Sequence, residues 1–411
     1  MPAPFLELPT ELRLQIYEHF FTTHQHVSQS HQPTNAHIRL LYVCRQITDE
    51  AGTHFRHYIS LRTEHQISAF ILYAAPQFVA QIEWADVAND GRVFQSADEN
   101  QEDTPLSNLH LALARMTALR RLRVFQCTQG LPINLRNTMS LHRSRRLGLK
   151  FERAMFPKGL VSPSYYELYL DPDTRIDLYD AVDPSNIVAL RLSGEIISSS
   201  SNPSKRECDS AQTRSMSGLR HVTLHSITGN YFDRQSIEEC FPGAQLESFT
   251  YALGHRLGFE IRNHHVESLA SAHGRSLRKL VLLGCSRLSS ANITQALENM
   301  PFLEYFALHL FTVDELRSNF IRSLPLSLAV LKIQVMNAWY AVALTAEEES
   351  LCEAIETDIL LRNSPLQHVC ASFRTALMID GGRHDRWEQI AASRNVRLDL
   401  GPWEHEMVQD V

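Results

Sequence analysis

His405 and Glu406 begin a pattern that would bind zinc and activate a water if a second histidine followed four residues on, because two imidazoles one helical turn apart share a face. Gln409 stands at that place instead. Asp171, Asp173 and Asp177 follow part of the spacing of a calcium loop, whose carboxylates must converge on one hard cation. Arg175, Ile176 and Val182 occupy the next ligand, the required glycine and the acidic closing position, so the stretch reads as a solvated acidic turn. His24 and His26, with His19 and His31 nearby, offer imidazoles to a metal. A polar connection between two helices accounts for them more simply. No phosphate-cradling glycine loop, nucleophile elbow or further metal spacing occurs. The expectation is no catalytic residue, no cofactor and no metal. An enzyme on an α/β scaffold would lack any recognisable constellation.

A different set of residues is concentrated by spacing alone. Apolar residues recur at positions one, four and six of short segments. These are Leu119/Leu122/Val124, Ile187/Leu190/Leu192, Leu219/Val222/Leu224, Leu246/Phe249/Tyr251, Leu277/Leu280/Leu282, Leu303/Phe306/Leu308, Leu328/Leu331/Ile333 and Leu366/Val369/Ala371. Val79/Ile82/Trp84 is a possible earlier member. In a strand the fourth and sixth residues share a face, so the third, fifth and seventh point the other way. Across the eight segments those opposite positions carry no Asp or Glu. They do carry Arg121, Arg123, Arg191, Lys279 and Lys332, with His221, His225, His309 and His368, and Tyr305 lies among them. Such a face would hold an acidic or phosphorylated client segment through charge-assisted hydrogen bonds.

The elements that position this face are strand-and-helix units. The segments step by 25 to 38 residues from Ile187 onward, which is the leucine-rich-repeat period or slightly longer. Cys127 and Cys285 take the ninth position, where such repeats place Asn or Cys at the bending backbone. Helical stripes fill the gaps: Val266/Leu269/Ala270, Ile293/Leu297/Met300 and Val313/Leu316/Phe320/Leu324. A Trp387/Ile390/Ala391 helix followed by Val396, Leu398 and Leu400 reads as a closing unit. The expected fold is α/β, an irregular leucine-rich-repeat solenoid with parallel strands on its concave side and helices outside. Residues 61–411 form this body, with loop insertions near 90–106, 136–160 and 196–216. The second insertion is basic, from Arg136 to Arg153. The third contains the Ser198 to Ser201 run, and the step from 119 to 187 marks a break in the array.

Composition fits that reading. The chain has 411 residues, 44% hydrophobic and 21% charged, with a formal net charge of −7. It lacks the basic footprint of a nucleic-acid binder. No apolar run approaches the ~18 residues of a membrane span, and no signal sequence opens the chain. Its seven cysteines are dispersed and odd in number. They read as reduced thiols, which points to the cytosol or nucleus.

The first 60 residues differ from the rest. Leu8, Leu12, Ile16 and Phe20 recur every four residues, on one face of a helix that Pro9 and Thr10 would start. A second helix is expected from Ile38 to Ala51, its apolar stripe formed by Leu40, Val43, Cys44, Ile47 and Ala51. Two short amphipathic helices must pack on each other and on something else. The run Leu8-Pro9-Thr10-Glu11-Leu12-Arg13, then Ile16-Tyr17, then Leu41-Tyr42-Val43-Cys44-Arg45, resembles the F-box, and especially its variant in fungal F-box-like proteins. The connection from Thr22 to His37 is longer than usual for that family, and Ile47 replaces an aromatic that often follows Val-Cys-Arg. The resemblance covers about 50 residues. It implies docking on the Skp-type adaptor of a cullin ubiquitin ligase through Leu8, Pro9, Glu11, Leu12, Ile16, Tyr17, Leu41, Val43 and Cys44. The chain would then be a substrate-recognition subunit, its repeats holding a client. The alternative is a leucine-rich-repeat interaction scaffold unconnected with ubiquitin.

Overall fold

The computed structural model describes residues 5–27, 31–88, 108–125, 163–170, 186–197, 215–254, 258–312, 316–337 and 344–403, with short pieces at 93–94, 104–105, 172 and 175–177. The Asp171 and Asp173 positions, the His405-Glu406 pair, Cys127, Cys208, and nearly all of the three expected insertions lie outside the described residues. The chain divides into two compact units, residues 1–187 and 188–411. The boundary expected at residue 60 falls inside a strand.

The first unit opens with helices α1 (Thr10–Gln25), α2 (Ala36–Leu40) and α3 (Arg45–Phe55). Four parallel strands follow: β1 (Tyr58–Leu61), β2 (Trp84–Ala88), β3 (Arg121–Phe125) and β4 (Tyr165–Tyr169). They pair in that order, with Ser60, Asp86, Arg123 and Glu167 in one cross-strand row. Helices α4 (Glu64–Tyr73) and α5 (Leu109–Ala114) bury Ile67, Phe70, Leu109, Ala112 and Leu113. On the sheet, Ile59, Ala85, Leu122, Tyr166, Val87, Val124 and Leu168 are buried in alternate positions.

The second unit is an eight-stranded parallel sheet in strict sequence order. Its strands are β5 (Ala189–Ile197), β6 (His221–Thr228), β7 (Ser248–Ala252), β8 (Lys279–Cys285), β9 (Tyr305–Thr312), β10 (Val330–Asn337), β11 (His368–Ser372) and β12 (Arg397–Leu400). All eight sequence segments land in register, their fourth and sixth residues aligned across neighbouring strands. Helices α6 (Asn263–His273), α7 (Ser290–Glu298), α8 (Thr345–Ala354) and α9 (Arg383–Ser393) return the chain between strands. Each presents an apolar stripe that is buried, such as Val266 and Leu269, Ile293 and Leu297, or Trp387 and Ala391. This is the α/β leucine-rich-repeat architecture, built from units that cannot bury their own apolar faces alone.

Polar ladders tie one repeat to the next. The Asn263 side-chain amide donates to Ser289 Oγ at 3.2 Å, while the Ser289 N–H donates back to Asn263 Oδ1 at 3.0 Å. The Ser318 N–H donates to Ser290 Oγ, and Asn319 Nδ2 donates to the Ser350 carbonyl. Helix starts leave unpaired N–H groups, and these side chains place partners beside them. At the end of β8 the register shifts between Leu283 and Cys285. Gly284 makes the shift with φ +74°, and a Cβ there would meet Leu253 at 3.1 Å.

Several expectations change. The early repeat member is Ile82/Ala85/Val87, three residues beyond the expected Val79/Ile82/Trp84, because the inward strand positions are Ala85 and Val87. The break between 119 and 187 holds a further strand, β4, whose inward residues are Tyr166 and Leu168. The 313–324 stripe yields only a single 3-10 turn at Phe320–Ser323 among the described residues. The single helix over Ile38 to Ala51 is two, divided at Cys44, whose backbone is extended. Thr48 Oγ1 donates to the Leu41 and Cys44 carbonyls and holds that corner.

His37 sits at the joint of α1, α3 and β1. Its ring is fully buried, with centroids 5.6 Å from Phe21, 5.9 Å from Phe55 and 5.0 Å from Tyr58. Neither ring nitrogen finds a hydrogen-bond partner among the described residues. Burial first, and the neighbouring His24 second, push its pKa down to about 4. A base held neutral in the fold but charged when unfolded adds stability in full above its unfolded pKa, and that stability fades as pH falls toward the folded pKa. From pH 7.5 to pH 5 this one residue removes about 2 kcal/mol. Thermal melts at the two pH values should therefore show a smaller acid-induced loss for His37→Phe than for the native chain.

Candidate interaction surfaces

The helical module is closed by a residue of the N-terminal motif that had no assigned role. Arg13 is buried and points at α3, where its Nε donates to Glu50 Oε2 at 2.9 Å and its Nη2 to Glu50 Oε1 at 2.5 Å. It also donates to the Leu6 and Leu8 carbonyls and to Thr10 Oγ1, so it fastens the residues before the helix as well. Tyr17 OH donates to the same carboxylate at 3.2 Å. The Arg13 guanidinium, above all, holds the Glu50 carboxyl well below the usual range, at about 2. Around this pair lies a small core of Tyr17, Leu41, Ile47, Ala51 and Phe55, with Phe5, Phe21, Leu40 and Cys44 packed against it.

Helix α1 thus turns Arg13 and Tyr17 inward, and its Leu12, Ile16, Phe20 stripe outward. Leu12 is 46% exposed and Ile16 44%, with Phe20 also exposed. Pro9 and Glu11 are exposed and Leu8 is half-buried. On the turn between α2 and α3, Tyr42 is 83% exposed and Val43 65%. The nine residues expected to meet an adaptor therefore separate. Leu8, Pro9, Glu11, Leu12, Ile16 and Val43 reach solvent; Cys44 is half-buried; Tyr17 and Leu41 form the module's own core.

The face expected to hold a client has a different composition from the one its eight segments suggest. In the first unit it is a closed polar layer. Arg123 is 3% exposed and forms a bidentate pair with Asp86, Nε to Oδ1 at 2.7 Å and Nη2 to Oδ2 at 2.6 Å. Tyr58 OH and Trp84 Nε1 donate to the same carboxylate at 2.7 and 3.0 Å. Arg121 donates to Glu167 at 2.7 Å. Both guanidinium groups stack on the Trp84 ring, 4.1 and 4.5 Å from its centroid.

The connection after α1 covers this layer. The Gln25 carbonyl accepts from Arg123 Nη1 at 2.9 Å. Gln32 Nε2 donates to Ser60 Oγ and to the Leu61 and Asp86 carbonyls, and Asn35 exchanges hydrogen bonds with the Ser60 backbone. Val27 packs with Phe125 and Tyr169. Gln25, Val27, Gln32 and Asn35, all within the long Thr22 to His37 stretch, thus form a lid on the first sheet. Arg123 is thereby removed from the client-facing set, and Arg121 is engaged with Glu167. The absence of acids was a consequence of which strands were recognised, since Asp86 and Glu167 lie on strands outside the eight segments.

In the second unit the remaining positions form three cross-strand rows. One runs His221, Ser248, Lys279, Tyr305, Val330, His368, Arg397. The next runs Arg191, Thr223, Thr250, Val281, Ala307, Lys332, Cys370, Asp399. The third contains His225, Ala252, Leu283, His309, Gln334 and Ser372. Arg191 and His309 are buried, whereas His221, His225, Lys279, Tyr305 and Lys332 are half-buried. Burial pulls the His221 pKa below its ordinary value. An acid appears here too, as Asp399 accepts from His368 at 2.7 Å and pairs with Arg397 at 2.9 Å. Lys279 and Lys332 are the lysines of this face among the described residues.

Of the two metal readings, the Asp171/Asp173 turn lies outside the described residues, and the histidine cluster is engaged or exposed. His24 Nε2 lies 2.6 Å from the Thr34 carbonyl, and His26 is exposed. A separate trio, His384, Asp385 and Glu388, has ligand atoms within 4.8 Å of one another, all on the exposed side of α9. Among the described residues, Cys240, Cys285, Cys352 and Cys370 are buried thiols, and burial raises the Cys370 pKa to about 11.

No protein-family model matches the sequence. No curated protein matches it either. Among solved structures the chain is similar to an internalin, inlF, from Listeria monocytogenes str. 4b F2365, at 12% identity and a TM-score of 0.32. The match covers 82% of this chain and 89% of the internalin. The leucine-rich-repeat assignment rests on this chain's own strand register.

Removing one partner of a buried ion pair leaves the other charge without compensation, at a cost of roughly 3–5 kcal/mol. Arg123→Ala should lower the unfolding free energy of the first unit by that order and bring its urea midpoint down accordingly, as followed by tryptophan fluorescence. Any loss of partner binding in that variant would report unfolding of the first unit.

Proposed function

We propose that this chain is a protein-interaction scaffold, with leucine-rich repeats that hold a partner and a helical module that docks onto a second protein. We further propose that this second protein is a Skp-type adaptor of a cullin ubiquitin ligase, which would make the chain a substrate-recognition subunit acting in the cytosol or nucleus. The supporting observation is the outward Leu12, Ile16, Phe20 stripe. A helix whose buried side is built from Arg13 and Tyr17 while leucine, isoleucine and phenylalanine face solvent has its most apolar side unused by its own fold. Of that stripe, the motif resemblance names Leu12 and Ile16 as adaptor contacts. On this reading the chain performs no bond chemistry and raises the local concentration of a client beside the ubiquitin-loaded enzyme.

The test is capture of the full-length chain by a purified Skp-type adaptor. Native chain should bind, and Leu12→Asp with Ile16→Asp should weaken binding at least tenfold. Exposed substitutions of this kind usually shift stability by only about 0.5 kcal/mol, so the melting temperature should hardly move. A folded native chain that ignores the adaptor would leave the scaffold reading and remove the ligase one.

A further inference from the structure

Side chains alternate along each strand of the second unit, so Val281, Leu283 and Ala307 point away from the helices that bury Leu280, Leu282, Phe306 and Leu308. Val281 and Ala307 are nevertheless wholly buried. They form an apolar cluster with Ala252 and Leu283, and Tyr305 and Trp403 pack against it. Trp403 stands three residues beyond β12, and β12 is three strands away from β9 in the sheet. The chain after its last strand therefore turns back across the sheet and seats an indole on it. Lys332 lies 6.0 Å from that ring, and Lys279 lies 5.5 Å from the Tyr305 ring. The Trp403 indole N–H is buried and has no hydrogen-bond partner among the described residues.

We propose that this patch is the partner-binding seat of the second unit, and that Trp403 fills it in place of an aromatic side chain from an acidic partner segment. The proposal rests on the reading of the repeats as a partner-holding surface and says what they hold. The floor is made of small residues, Ala252 and Ala307, beside Val281 and Leu283, which gives a flat ring its depth. Lys332, 6.0 Å from the ring, suits a carboxylate next to the seated aromatic. The chain's own occupant has that composition, since Glu404 and Glu406 follow Trp403 in sequence. Its fit is incomplete, because the orphaned indole N–H carries a desolvation cost that a phenylalanine, or a tryptophan arriving with its own acceptor, would avoid. A short tether supplies a high effective concentration, so the internal occupant competes with free partners without excluding them.

The probe is a fluorescein-labelled peptide of residues 399–411 of this chain, titrated by anisotropy into full-length protein whose cooperative melt has been verified. Trp403→Ala should bind the peptide at least tenfold more tightly than the native chain, whose seat is taken. Adding Lys332→Glu should cost most of that gain, and a peptide with alanine in place of its tryptophan should not bind. Trp403→Leu, which keeps apolar contact while freeing much of the seat, serves the same comparison if the alanine variant does not fold. Equal binding by native and substituted chains, or equal binding of the tryptophan-less peptide, would overturn the seat. Adaptor capture is scored separately. Its loss with peptide binding intact overturns only the ligase reading, and the reverse result overturns only the seat.

Discussion

The Asp86 carboxylate is the point on which the first unit depends. It lies in the middle of a parallel sheet, fully buried, and accepts from Arg123 twice, from Tyr58 and from Trp84. A buried charge is tolerable only when paired and hydrogen-bonded, and this one is saturated. Satisfying it fixes the rotamers of three neighbouring strands. It also creates a polar surface with remaining valences, and the Gln25 carbonyl and the Gln32 amide meet those. The first helix is therefore anchored to the sheet through a connection held by hydrogen bonds as well as by the packing of Val27.

That anchoring explains how the module can leave an apolar stripe in solvent. Arg13 and Glu50 supply the specific contact between α1 and α3, and Tyr17 with Phe55 supplies the packing. With these in place, Leu12 and Ile16 are not needed to hold the helix down. In the second unit the same division recurs in another form. Inward leucines and phenylalanines carry the stability of the array, and the opposite face is left for lysines, histidines and one seated indole.

The second unit was legible because its repeats put large apolar residues at the inward positions, and seven segments at near-regular spacing fix both strand and register. In β4 Pro163 takes the first position, and in β2 the frame Val79/Ile82/Trp84 fits the same spacing three residues earlier, so the pattern misses or misplaces strands that are present. Two of the acids that complete the first unit's charge layer were hidden by the same omission, and Asp399 lay on the closing strand. The α1 stripe was read correctly as one helical face. Periodicity alone could not say that this face points outward, because the partner that turns the helix, Glu50, lies 37 residues away. The break in the second helix depends on the hydroxyl of Thr48 capturing two carbonyls, a local contact with no periodic signature.

The lid over the first sheet has a consequence for the order in which this unit can form. The Gln25 carbonyl and the Arg123 guanidinium it meets are 98 residues apart, while each strand pair of the second unit is joined by a single repeat. Closing a long loop carries an entropy cost that must be met before its contacts repay it, so structures of high contact order form slowly. During synthesis the helices of the N-terminal module emerge first, yet their seat on the sheet does not exist until Asp86 and then Arg123 have left the ribosome. Within the first unit, α1 is made before the strands that hold it in place.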